Sequence, residues 1–368
     1  MSTNLSTKKN RTLHLDGIRG VAALSVALFH FFRSFDNSLI SGNHFINHTL
    51  ISALWNGHFA VSLFFVLSGY LFFDKFKSES FLNGVKASVK RFLRLSIPIL
   101  SICLLAYVMH KTGFFKNQAA AKLSGSDWLG RWYVFEPSLS LAIFESLWFD
   151  YVSFNPNRTY NSNLWTISYE LFAVIGVIFI AIITKNIKNS IRIAILICLA
   201  ATSYGTHYFE FIIGAVLAIV VSERKSSTSL RASIITLALA LSLSSLALPN
   251  AISGFASDFF YPVGAALLII SVSINEALKL AFSNSFFLKL GEISFGLYLA
   301  HFLTLNSVAS SVYIATESAP ITFICYVAST VALSICFTYI VDEPWTKTLN
   351  LLFRKKKQAM NQDLNIKV

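Results

Sequence analysis

Ten apolar stretches recur along this chain, at 17–36, 57–73, 95–112, 164–184, 190–205, 207–222, 232–248, 257–274, 291–313 and 320–342, with short polar segments between most of them. That pattern leaves few folds open. A helix crosses a hydrocarbon core ~30 Å thick in ~20 residues. Inside lipid, only helices and closed barrels satisfy their own backbone groups. A barrel would read as alternating segments of ~10 residues, and the sequence has none. The expectation is an all-α integral membrane protein with about ten transmembrane helices. Composition agrees: 13% of residues are charged, against ~25% in soluble domains.

The basic residues orient the spans. With a cytoplasmic N-terminus, the regions 1–19, 74–94, 185–192, 223–231, 275–290 and 343–368 lie inside. They hold 24 of the 30 Lys and Arg, as the positive-inside rule requires. An even number of crossings then puts both termini in the cytoplasm. The same clustering explains the formal charge of +12 through membrane topology, and no nucleic-acid partner is expected. Lys8, Lys9 and Arg11 precede the first apolar run. That run contains Arg19 and His30 and no cleavage pattern follows it, so it reads as an uncleaved first span. Cys103, Cys198, Cys325 and Cys336 lack redox or zinc spacing and read as packing residues; no metal is expected.

The division is a tail (1–14), a membrane domain (15–345) and a basic tail (346–368). The one long connection, about 113–163, is exterior and rich in Trp, Tyr, Asn and Pro. Loops of that length are functional or disordered, and its aromatic and amide content argues against simple disorder. Carbohydrate contact and an interfacial aromatic belt both fit. Within it, 138–149 reads as a short re-entrant segment, because Pro137 and Asp150 bound it.

Ionisable residues inside spans cost about 2.5–3.5 kcal/mol on insertion scales, which makes each a functional candidate. Arg19 and His30 are 11 residues apart, about three helical turns, on one face about 16 Å apart. A guanidinium suits phosphates; an imidazole suits general-base work on a hydroxyl. Against this stand a snorkelling anchor and a packing histidine. Glu170 in the fourth span and His301 in the ninth fall at a depth similar to His30, which suggests one polar chamber. Ser68, Gly69 and Tyr70 end the second span, where glycine also permits close helix approach. Lys90, Arg91 and Arg94 form a basic patch suited to a nucleotide phosphate or to lipid headgroups. His207 and Glu210 have pairing spacing, and Glu343-Pro344 reads as the end of the tenth helix.

Five motifs in order resemble the membrane-bound acyltransferase 3 family. They are LDGIRGVAALSVALFH (15–30), FFVLSGYL (64–71), RFLRLSIP (91–98), LWTISYELF (164–172) and SFGLYLAHF (294–302). The resemblance spans about 12–345, in a form without an appended soluble esterase-like domain. It implies O-acylation, usually acetylation, of an extracytoplasmic carbohydrate such as O-antigen, capsule or exopolysaccharide. The donor would be acyl-CoA, most often acetyl-CoA, reaching a bacterial inner-membrane enzyme from the cytoplasm. On this resemblance His30 is catalytic, as base or acyl carrier, with Glu170 tuning it. Arg19 is essential, beside the CoA, and Ser68, Tyr70, Arg91 and Arg94 flank the donor. His301, Trp165 and Tyr169 belong to the acceptor side. Tyr169 and Ala300 depart from the commoner family residues. The runner-up reading is a secondary transporter or flippase using buried His and Glu residues; no internal repeat supports it.

Overall fold

The computed structural model describes residues 13–39, 49–223, 228–245 and 256–353. Most of the 1–14 tail and the RKKK run at 354–357 therefore lie outside the described residues. Helices form at all ten apolar stretches: α1 Leu13–Phe35, α2 Gly57–Phe76, α3 Phe81–Lys111, α4 Trp165–Ile183, α5 Asn189–Ser203, α6 Tyr208–Glu223, α7 Leu230–Ser244, α8 Asp258–Ser273, α9 Ser294–Thr316 and α10 Ala319–Phe353. No strand occurs among the described residues.

Six of these, α1, α2, α3, α4, α9 and α10, are long and apolar enough to cross a membrane. A seventh forms if α8 and the helix Glu276–Phe282 count as one span, bent by 104°. Helices α5, α6 and α7 have 15, 16 and 15 residues; at 1.5 Å per residue each spans only about 22–24 Å. The number of apolar stretches therefore exceeds the number of helices of full crossing length.

Helix α2 is central, packing on α1, α4, α6 and α8. Its contact with α6 is backbone to backbone: a Cβ on Gly214 would meet the Val66 carbonyl oxygen at 2.1 Å. The SGY glycine, Gly69, faces the same crossing. Small residues at such contacts are how membrane helices approach closely. On α1, Gly20 likewise admits the backbone of the short helix Ser285–Glu292, and this holds Arg19 against that helix. Asn56 caps α2 by accepting the Phe59 N–H at 3.0 Å, which orients its first turn.

The 113–163 connection is built, not loose. Asn117 donates to the carbonyls of Leu129 and Trp132, both at 2.9 Å, and Ser126 donates to the Arg33 carbonyl at 2.9 Å. Residues 139–152 form a helical piece too short to cross. Its outer side exposes Leu139, Phe144, Trp148 and Val152, and its inner side buries Glu145, Ser146 and Asp150. The tenth helix does not end at Glu343-Pro344. A π-helical turn at Thr338–Asp342 already loosens the ladder ahead of Pro344, so the helix runs on to Phe353.

Candidate active site

Two polar regions meet inside the bundle. The first is a pair of imidazoles. His301, on α9, is fully buried. Its Nδ1 lies 2.9 Å from the Leu297 carbonyl oxygen. A carbonyl only accepts, so Nδ1 carries the proton and Nε2 of the neutral ring is an acceptor. His30 Nδ1 lies 3.0 Å from that Nε2, and the Asn163 amide nitrogen 3.2 Å from it. His30 therefore donates from Nδ1 and keeps a lone pair on Nε2. This network fixes one tautomer of His30 without any carboxylate. The half-buried His30 ring stacks on Trp128, at 4.9 Å between centroids and 5° between planes. Arg33 covers Trp128, 5.1 Å from its ring. The long connection thus lids the imidazole pair.

The second region is a cavity of about 240 Å³ lined by Arg19, Arg91 and Arg94 together with Glu170, Glu292 and Asp342. Arg91 pairs with Glu170 Oε1, which also accepts from Ser68 Oγ at 2.9 Å. Arg94 holds both oxygens of Asp342, at the π-helical turn of α10. Arg19 donates from Nε to Ser294 Oγ at 3.1 Å and pairs with Asp16 at 3.1 Å, where both side chains are about two-fifths exposed. Two of the three guanidiniums are thus committed to buried carboxylates, and Arg19 is the accessible one.

Tyr298 joins the two regions. It lines the arginine cavity, and its hydroxyl donates to the Asn163 carbonyl at 2.6 Å. Asn163 in turn touches His301. The Tyr298 ring also lies 6.1 Å from that of His301, so this one side chain separates the arginine cavity from the imidazole pair.

The sequence-derived residues divide accordingly. His30 and His301 come together. Arg19, Ser68, Arg91, Arg94 and Glu170 share the arginine cavity. Glu170 hydrogen-bonds Arg91 and Ser68, and Asn163 stands at the imidazoles. Tyr70 is not among the residues lining the cavity; its backbone abuts Gly214. Trp165 lines a separate recess, and the Tyr169 ring packs on His207 and Trp165. The basic patch splits because Arg91 and Arg94, at i and i+3, share a helix face, whereas Lys90 points elsewhere, to Asn350 at 2.5 Å. Sequence reasoning missed Asn163, Trp128, Tyr298 and Asp342. Asp342, an acid at the end of an apolar run, and Tyr298, inside the SFGLYLAHF segment, carried a signal.

A further buried trio lies apart. Ligand-type atoms of Cys103, Glu145 and Asp150 fall within 4.8 Å of one another. Glu145 accepts from the Thr159 hydroxyl and the Tyr160 N–H. Both Asp150 oxygens have no hydrogen-bond partner, and no ion pair reaches either acid among the described residues. Burial, then the nearby Glu145 charge, raises the Asp150 carboxyl well above the usual carboxylate range. Folded protein thus binds a proton that unfolded chain releases. The stabilisation is complete below the ordinary carboxylate pKa and is lost as pH rises through the raised value, by about 1.4 kcal/mol per pH unit. Asp150→Asn removes that titration. Thermal unfolding in detergent between about pH 5 and about pH 8 should fall with pH more steeply for wild type than for Asp150→Asn; parallel slopes refute the protonated state.

Helices and polar interior together define a multi-pass membrane protein. The acyltransferase 3 family model, described as an acyltransferase domain, matches residues 13–339, so the chain belongs to that family and is a membrane acyltransferase. The matched span contains every residue of both regions except Asp342. No curated protein and no solved structure gives a match.

Proposed function

We propose that the protein moves an acetyl group from cytoplasmic acetyl-CoA to a hydroxyl of an extracytoplasmic carbohydrate. The observation that carries this is the bare Nε2 of His30, whose partner His301 is separated from an arginine-lined cavity by the Tyr298 side chain. The charge count supports ten crossings with both termini inside, which puts Arg19 at the inner end and His30 in the outer half. The donor phosphates engage Arg19, while Arg91 and Arg94 shape the cavity walls. The bacterial cytoplasmic membrane is the location this topology fits.

In the direct route, His30 Nε2 takes the hydroxyl proton as the acceptor oxygen attacks the thioester carbonyl. The C–O bond forms, the C–S bond breaks, and the coenzyme A thiolate leaves and takes the proton from His30. In the two-step route, Nε2 itself attacks the thioester carbonyl: the C–N bond forms, the C–S bond breaks and the coenzyme A thiolate leaves. The acceptor oxygen then attacks the acyl carbon, the C–O bond forms, the C–N bond breaks, and the hydroxyl proton passes to the thiolate. Base catalysis of this kind contributes about 10²–10⁴-fold, and positioning supplies much of the rest.

Mass spectrometry of cell-surface glycans, with and without this protein, is the test. Acyl mass shifts that depend on it are the expected result. Gradient-driven flux of substrate into proteoliposomes without acylation would instead establish a transporter.

A further inference from the structure

A second recess, of about 280 Å³, opens where α2, α4, α6 and α8 begin. It is lined by His58, Ser62, Trp165, His207, Glu210, Asp258 and Tyr261, among others. We infer that this recess binds the acceptor as a neutral sugar ring, with the Glu210–His207 pair gripping its hydroxyls and Trp165 its apolar face. The inference rests on the acyl-transfer reading and adds where the acceptor sits and what chemistry it has.

The recess is chemically the opposite of the arginine cavity. Its lining contains no Lys or Arg and has two carboxylates, so phosphate and carboxylate ligands are disfavoured. Glu210 is 4% exposed. It accepts from Ser62 Oγ through one oxygen, and its other oxygen lies 3.0 Å from His207 Nδ1. With Nδ1–H committed to the carboxylate, the half-exposed His207 presents Nε2 as an oriented acceptor. His207 and Trp165 lie ring to ring, 5.0 Å between centroids, and Tyr169 meets His207 edge-on at 5.0 Å. Aromatic walls beside a few oriented polar groups are what an amphipathic polyol ring needs. The volume sits just under the ~300 Å³ at which ligand pockets begin, which suits one ring and not a chain.

The recess also adjoins the chemistry. Val61 lines both it and the arginine cavity. His58 at its rim and His30 in the chamber meet the same Phe29 ring, at 5.6 and 5.4 Å. A sugar held at Trp165 and His207 extends towards the His30 side of α2.

Full-length protein carrying Trp165→Ala, Trp165→Phe or Glu210→Gln would be expressed in the native host lacking its own copy, at matched membrane abundance. Glycan O-acylation would be read by mass spectrometry, and acetyl-CoA binding on purified protein by thermal shift. Trp165→Ala and Glu210→Gln should cut acylation at least tenfold, Trp165→Phe less than twofold, with acetyl-CoA binding within twofold of wild type throughout. The acylated residue should be a neutral sugar. Near-wild-type acylation by Trp165→Ala and Glu210→Gln overturns the inference, as does parallel loss of acetyl-CoA binding, or an acyl group on an anionic sugar. If wild type acylates no glycan, the acyl-transfer reading fails and the recess assignment with it; wild-type acylation with indifferent variants removes the recess assignment alone.

Discussion

His30→Ala leaves a folded protein whose acyl transfer is at least about 10²-fold slower than wild type. The lost group is the lone pair on Nε2. The neighbouring Nδ1 is committed to His301, and His301 keeps its Nδ1 on the Leu297 carbonyl and its Nε2 against the Asn163 amide, so it does not replace His30. The ring lies between Trp128 and His301, and its removal opens a small cavity that the lid can partly fill. Acetyl-CoA binding should survive, because the arginine cavity proposed for it is lined by other residues. His301→Ala is also impaired, because His30 then loses the partner that selects its tautomer. Full glycan acylation by folded His30→Ala protein would end the catalytic assignment.

Glu170→Ala acts on the fold. The Arg91 and Glu170 side chains are 21% and 16% exposed, and Arg91 Nε already lacks a partner. Removing the carboxylate strands a guanidinium among Phe72 and apolar helix surface. Breaking a buried pair costs about 3–5 kcal/mol, whereas replacing both partners with apolar residues is near neutral. Glu170→Ala should therefore lose most of its monodisperse yield in detergent. The double variant Arg91→Met with Glu170→Leu should recover it and still bind acetyl-CoA poorly, since Arg91 lines the cavity proposed for the donor. A stable single variant would mean that the pair is solvated and structurally idle.

The one-face relation of Arg19 and His30 was legible because helical geometry is local: 11 residues are three turns wherever the helix sits. Pairing of His207 with Glu210 followed for the same reason. The meeting of His30 with His301 was foreseeable as matched depth, but not as a hydrogen bond, because depth says nothing of rotation about each helix axis. Glu170 illustrates the difference. Its depth resembled that of the histidines, yet its helix face turns it to Arg91. Helix α10 ran past Pro344 because a π-helical turn, which no residue pattern announced, absorbed the defect.

Residue pattern alone determined an all-helical membrane protein, the bias of positive charge, and the residues too polar to be idle in lipid, since each follows from local hydropathy and charge. Only the tertiary structure decided which of those residues share a cavity. It turned Asn163 and not Glu170 to His301, laid Trp128 over His30, and left α5, α6 and α7 short of full crossing length. These depend on helix rotation, tilt and close backbone approach, which are settled by packing between segments far apart in the chain.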